Sequence, residues 1–455
     1  MPRLATMVSI LATLAACGGR PEVDRPDATP GDAAAGGPCP VATPTVTIVV
    51  DLTQPGPPLR SLQGFLNGID PAPGSTATFD EPTVRALAPA YWRFGTGAAT
   101  VFPKIAGFGA TMTYILSDGY ADSRGGYGNA RPWQDWAGFE AHVAQVARAN
   151  LDAGRPIRYF DVWNEPQGGT PWLGSYDQLL EYYDRTVRAV RAVDPQARFV
   201  GPSFDDLGGD VGGHSLGDLL VDLDARFGIR LDAISWHELG AYPPTDLPAH
   251  AALVRQFLAQ RLPGATPELH VNEYSSPRDH LLPGWTVGWL AGLTAGGIDV
   301  ATRACWDVPG EGWSDCWAGL DGLLRRDNRT PHANYWAHRL YAALPGAPAL
   351  PVTTSDPRAA ALAVASSPTT ARVLAGRFGA TPPGPAASVG IELIGLSPAT
   401  IRVAAAGTLV PPQAGAMPAP VDLGVCRVDV VGGRAMVVTP AVPDGAALGL
   451  ELTLE

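Results

Sequence analysis

The stretch Ile157-Arg158-Tyr159-Phe160-Asp161-Val162-Trp163-Asn164-Glu165-Pro166 decides how the rest of the chain is read. A strand-like run, Ile157 to Val162, is closed by Trp163-Asn164-Glu165-Pro166, so a carboxylate stands where a strand ends. A second isolated carboxylate, Glu273, closes another such run, Leu269 to Val271. Outward from these two runs, short apolar β-rich segments alternate with amphipathic stretches from about residue 60 to 344, the pattern of βα units around a parallel sheet.

Eight strands are expected: Leu62 to Gly68, Tyr91 to Thr96, Thr111 to Leu116, Ile157 to Trp163, Arg198 to Ser203, Leu231 to His237, Glu268 to Tyr274 and Val300 to Asp307. Between them, Trp136 to Leu151 and Tyr176 to Val193 space their apolar residues at three and four. In the second, Leu179, Leu180, Tyr183, Val187 and Val190 make one face. Eight strands with intervening helices read as a (β/α)8 TIM barrel over residues 60–345, an α/β fold whose chemistry sits at the C-terminal ends of the strands. Glu165 and Glu273 close the fourth and seventh of them.

After Leu344-Pro345-Gly346 the pattern changes to short alternating segments: Ala361 to Val364, Arg372 to Phe378, Val389 to Ile394, Thr400 to Ala404, Val425 to Val431 and Ala435 to Val438. An antiparallel C-terminal β-sandwich over 346–455 is expected, joined by a strand from the segment 45–59, where Thr45 to Leu52 has the same character.

Composition narrows the partners. The 455 residues exceed the usual single-domain size and allow a large barrel with a smaller partner domain. The formal charge of −12 is spread over many short segments with no Lys/Arg cluster, which argues against nucleic acid and for a neutral polymer such as an oligosaccharide or polysaccharide. Twelve Trp and twelve Tyr supply flat apolar faces suited to sugar rings.

The first residues read Met-Pro-Arg, then an apolar run from Leu4 to Ala16, then Cys17: a signal peptide over 1–17, too short for a membrane span. Leu14-Ala15-Ala16-Cys17 resembles the lipobox of bacterial lipoproteins, whose cysteine is acylated. Gly18 is not the aspartate associated with inner-membrane retention, so the resemblance implies export and lipid anchoring to the cell envelope, at the outer membrane. Residues 18–44 are Gly, Pro, Ala and Asp with almost no large apolar side chain, and read as a disordered tether. The remaining cysteines, in an oxidising compartment, are expected to pair as Cys305 with Cys316 and Cys39 with Cys426.

The paired carboxylates suggest acetal cleavage, which needs one protonated carboxyl group at the leaving oxygen and one carboxylate facing the oxocarbenium-like carbon. At this point the region 60–345 resembles the retaining glycoside hydrolases of clan A, most closely family 39, the β-xylosidase and α-L-iduronidase family. The resemblance rests on Phe160-Asp161-Val162-Trp163-Asn164-Glu165-Pro166 and on Val271-Asn272-Glu273-Tyr274-Ser275. It implies that Glu165 is acid/base, Glu273 is nucleophile and Asn164 binds the sugar 2-hydroxyl. By the same resemblance His237 belongs to the active site, Trp306 floors the sugar site and Arg93 keeps the nucleophile ionised. Leu239 stands where the family often has Tyr, with Tyr242 nearby, and Glu311 is a further candidate for a sugar hydroxyl.

Other chemistries fail on spacing. Ala241 stands where a zinc motif starting at His237-Glu238 would need its second histidine, Ser203 lacks the glycine of a nucleophile elbow, and Gly107 with Gly109 make no dinucleotide loop. No cofactor or metal is expected. Within the glycosidase reading, β-xylosidase-like exo-action is expected first, with endo-glycanase or arabinofuranosidase action as alternatives. A surface lipoprotein that binds glycans without cleaving them is the reading from another class.

Overall fold

The computed structural model describes residues 37–455 apart from 68–80, 96–97, 156, 169, 241–242, 277–278, 306–321, 325–329, 380–383, 414–415 and 418. The expected signal peptide, its Cys17 and most of the expected tether lie outside the described residues. Among those described, no helix is long and apolar enough to cross a membrane.

Eight parallel strands close into a barrel in chain order: Gly64–Leu66, Tyr91–Phe94, Thr111–Ile115, Ile157–Asp161, Phe199–Phe204, Ala233–Glu238, Glu268–Tyr274 and Val300–Arg303. The eighth meets the first at Arg303 opposite Phe65. Gly64 permits this closure, since a Cβ there would lie 2.1 Å from the Ala301 carbonyl oxygen of the neighbouring strand. The central strands are buried on both faces, as in Phe199–Phe204 and Ala233–Glu238, because helices cover the outside.

The covering helices form where the sequence supplies a start signal and an apolar face. Asp135 caps Trp136–Asp152 by accepting from the Gly138 amide. Ser175 and Gln178 make a reciprocal capping box on Tyr176–Arg191, whose face of Leu179, Leu180, Tyr183, Val187 and Val190 is buried against the barrel.

The C-terminal part is a sandwich of two sheets. One has six strands in the order Ala349–Leu350, Ala359–Ser367, Thr370–Arg377, Ala447–Leu454, Arg402–Val410 and Val421–Asp429. The other has four, in the order Val352–Thr354, Val46–Asp51, Ala387–Ile394 and Arg434–Val442. Alternation drives their packing: Val46, Ile48 and Val50 share one core with Val389, Ile391 and Leu393 and with Val373, Leu448 and Leu450 of the facing sheet. The sandwich is not wholly antiparallel. Val46–Asp51 runs parallel to Ala387–Ile394, a pairing open to it because it enters from the far end of the chain instead of through a hairpin.

The helix Pro283–Ala295 joins the two parts. It carries no polar face, and it is buried between the barrel and the strand Thr370–Arg377, with the Gly284 amide donating to the Gly445 carbonyl at 2.7 Å. At the other end of the sandwich, Cys39 is disulfide-bonded to Cys426. The Cys39 amide donates to the Arg427 carbonyl and the Arg427 amide donates to the Gly37 carbonyl, each at 3.0 Å. This corrects the tether reading for its last residues: Pro38 and Cys39 are fastened to the sandwich, because the disulfide and two backbone bonds offset the cost of ordering an apolar-poor segment. Cys305 is also disulfide-bonded, and Cys316, its expected partner, lies outside the described residues.

Candidate active site

The C-terminal ends of the second, fourth, fifth, sixth and seventh barrel strands converge on one buried polar cluster. Its centre is Asp161, the last residue of the fourth strand and fully buried. One oxygen, Oδ2, accepts from Arg93 Nε at 2.9 Å and Asn272 Nδ2 at 2.8 Å, while the Ser203 hydroxyl donates to the carboxylate at 2.8 Å. Four strands are thereby held in register at their mouth by one carboxylate. Such a charge is tolerable in a barrel interior only because every contact stabilises it.

Arg93 is the counterpart. Its guanidinium, fully buried, reaches Asp161 Oδ2 through Nη2 at 2.8 Å, Glu273 Oε1 through Nη1 at 2.7 Å and Asn164 Oδ1 through Nη2 at 2.7 Å. Burial works against its charge, but Asp161 and Glu273 hold its pKa above the ordinary arginine value. The bond to Asn164 Oδ1 also fixes which way that amide points. Glu273, nearly buried, has its pKa raised by desolvation, with the Arg93 guanidinium pulling it back down.

Glu165 sits three residues beyond the buried Val162, in a backbone conformation at φ +46°. A non-glycine residue persists there only when its surroundings hold it. The Glu165 amide donates to the Ser203 carbonyl at 2.9 Å, the Asn164 amide donates to Ser117 Oγ at 3.0 Å, and the Thr170 hydroxyl donates to the Asn164 carbonyl. His237 closes the arrangement. Its Nδ1 lies 2.8 Å from Glu165 Oε1 and its Nε2 lies 3.8 Å from Glu273 Oε1. Burial pushes the imidazole pKa down to about 4, so the ring is neutral at ordinary pH, and only its Nδ1 is hydrogen-bonded.

One ligand atom each from Glu165, His237 and Glu273 lies within 4.8 Å of the other two. The donor types are those of a divalent-metal site, but the Arg93 guanidinium on Glu273 Oε1 puts a fixed positive charge where an ion would bind. Two carboxyl groups at this separation, one bonded to a buried guanidinium and the other to a neutral imidazole, stand in unlike environments, as acid and base roles at one site require.

Of the residues singled out from the sequence, Glu165, Glu273, Asn164, His237 and Arg93 come together here. Tyr242, Trp306 and Glu311 lie outside the described residues. Leu239 is buried in a small apolar cluster with Leu66, Ile115, Ala304 and Cys305. Sequence reasoning missed Asp161, Ser203 and Asn272. The signal for Asp161 was present, since a lone acid inside an apolar strand is costly unless paired; Ser203 and Asn272 are ordinary strand-end residues whose partners lie 42 and 111 positions away.

No family model and no curated protein matches this sequence. Solved structures do. A glucosidase from Croceicoccus marinus aligns with TM-score 0.71 at 16% identity over 90% of this chain and 99% of its own. The GH39 enzyme from Xanthomonas axonopodis pv. citri aligns with TM-score 0.65 at 18% identity, over 91% and 98%. A monomeric β-xylosidase from Caulobacter crescentus CB15 aligns with TM-score 0.63 at 15% identity, over 90% and 99%. The chain has the GH39-like fold of the clan A glycoside hydrolases, a TIM barrel carrying a β-sandwich.

Proposed function

We propose that this protein is a retaining glycoside hydrolase in which Glu165 is the acid/base and Glu273 the nucleophile. The observation that carries the reading is the approach of the two carboxyl groups to within 4.8 Å at the barrel mouth. Retaining enzymes need about 5 to 5.5 Å between their carboxyl groups, whereas inverting ones leave about 6.5 to 9.5 Å for a water molecule.

The residues divide the work accordingly. Arg93 takes Glu273 Oε1, which favours the ionised form despite burial and leaves Oε2 to attack the anomeric carbon. As that C–O bond forms, the bond to the leaving oxygen breaks and the Glu165 proton passes to that oxygen. Glu273 is then a neutral ester, so Glu165 loses a negative neighbour and can take a proton from the incoming water. The water oxygen displaces Glu273 and configuration is retained. Asn164, its Oδ1 engaged by Arg93 and one Nδ2 hydrogen directed at Thr170 Oγ1 at 3.4 Å, keeps the other Nδ2 hydrogen as a donor toward the sugar 2-hydroxyl.

The glycosidases that share this fold and the composition support an oligosaccharide or polysaccharide substrate, and we propose a β-xylosidase-like exo mode of cleavage, with endo-glycanase or arabinofuranosidase action the alternative of the same class. The lipobox-like Leu14-Ala15-Ala16-Cys17 supports export and attachment to the cell envelope. The test is incubation with a panel of 2-fluoro glycosyl inactivators followed by intact and peptide mass measurement. Label on the Glu273 peptide is expected and also names the sugar; glycan binding with no label and no turnover would replace this reading with a non-catalytic one.

A further inference from the structure

The third barrel strand runs straight into the helix Leu116–Ser123, and two residues of its first turn face the acid/base segment through a chain of hydrogen bonds. The Asn164 amide donates to Ser117 Oγ at 3.0 Å. Ser117 Oγ lies 2.9 Å from the Tyr127 hydroxyl, and that hydroxyl donates to Asp118 Oδ1. Tyr127 packs its ring edge-on against Trp163 at 5.6 Å between centroids, one residue before Asn164. Gly95 lets this happen next to Arg93: a Cβ there would lie 2.2 Å from Asp118 Cβ and 2.6 Å from its Oδ2.

The order of hydrogens along this chain is set by one charge. An ionised Asp118 only accepts, so the Tyr127 proton goes to it; the Ser117 proton then goes to Tyr127, and the Ser117 oxygen is left to receive the Asn164 amide. Asn164 is thus gripped twice, by Ser117 at its backbone and by Arg93 at its side chain, immediately before the strained Glu165. We propose that Ser117, Tyr127 and Asp118 are positioning residues that aim the Glu165 carboxyl group at the leaving oxygen. This rests on the glycosidase reading above and adds a device outside the two-carboxylate pair.

The charged and titratable groups around Asp118 are Tyr127, Arg93 from the second strand, Asp161 from the fourth and Asp122 from its own helix, with Tyr114 and Tyr182 also near. Burial raises the Asp118 pKa to about 6, against the Tyr127 bond and Arg93. A protonated Asp118 becomes a donor to Tyr127, so the Tyr127 proton turns toward the Ser117 oxygen, which then accepts from both Tyr127 and the Asn164 amide while its own proton is released from the chain. The order of hydrogens that Asp118 sets is therefore lost as pH falls through 6.

The test uses the full chain with Tyr127→Phe and, separately, Ser117→Ala, assayed on aryl glycosides of the sugar the wild type accepts. Expected is a loss in kcat/KM, which reports the glycosylation step, on the order of 10- to 100-fold with phenyl leaving groups and little change in it with 2,4-dinitrophenyl ones. The acid limb of the phenyl-glycoside profile should also lose its Asp118 component in Tyr127→Phe. Equal loss on both leaving groups, or none in either variant at an unchanged melting temperature, overturns the relay. If Ser117→Ala melts, Tyr127→Phe, which keeps the ring on Trp163, decides alone. A wild type that hydrolyses no glycoside and takes no 2-fluoro label is a separate result that removes the glycosidase reading, and the relay with it.

Discussion

Arg93 Nη1 lies 2.7 Å from Glu273 Oε1, and neither side chain is more than 9% exposed to water. The pair shares its guanidinium with Asp161 and Asn164, so Arg93 holds Glu273 and the segment leading into Glu165 from a single point. Replacing it with Met leaves Asp161 and Glu273 as buried charges without their cation. A destabilisation of about 3 to 5 kcal/mol is expected in denaturant unfolding. Arg93→Lys keeps the charge but not the planar fork, and should recover part of the stability but little of the activity.

Glu165→Gln keeps the shape of the acid and removes its proton. Hydrolysis of substrates with poor leaving groups should fall by about 10² to 10⁴-fold while activated aryl glycosides are affected much less. The kcat/KM values across a series of leaving groups check this, and a uniform loss in kcat/KM would remove Glu165 from the acid role.

Glu273→Ala should abolish turnover yet leave space for a small anion beside the Arg93 guanidinium. Azide is expected to restore cleavage of activated substrates and to give a glycosyl azide of inverted configuration, read by NMR of the product. Recovery with retained configuration would place the nucleophile elsewhere.

His237 gives a signed pH dependence of stability. Its folded pKa of about 4 lies below the ordinary 6.5, so between these values the unfolded chain binds a proton that the folded chain does not. Stability contributed by the neutral imidazole is therefore complete above pH 6.5 and is lost as pH falls toward 4, by about 3 kcal/mol in total. The difference in melting temperature between wild type and His237→Gln should shift against the wild type over that window; a constant difference would mean the ring is not held neutral.

The barrel was legible because each strand carries its own evidence in a short β-branched or aromatic run, and all eight expected strands are present. The two glutamates were legible for the same reason, standing alone at strand ends. What the sequence could not display was pairing between distant segments. Asp161 looks like an interruption of an apolar strand until Arg93, Ser203 and Asn272 are seen around it. Ser117, Asp118 and Tyr127 belong to no motif and were not singled out from the sequence. Ala447–Leu454 was missed as a strand although Leu448, Leu450 and Leu452 alternate into the core, because small residues and a glycine dilute its β-signal. The parallel direction of Val46–Asp51 had no local cause to read.

The fastening of Cys39 onto Arg427 and Cys426 bears on how copies of this protein behave toward one another. Val421–Asp429 is the last strand of its sheet, and Val421 and Val425 point apolar side chains into solvent. A bare strand of that kind is a template onto which another chain can add its own backbone. Gly37 and Cys39 already occupy the hydrogen-bonding groups of Arg427, and the disulfide keeps them there. Severing that bond should leave the barrel and its chemistry intact while the molecules begin to self-associate, so that the half-cystine nearest the N-terminus acts as a guard on solubility at crowded concentrations, visible by light scattering before any change in circular dichroism.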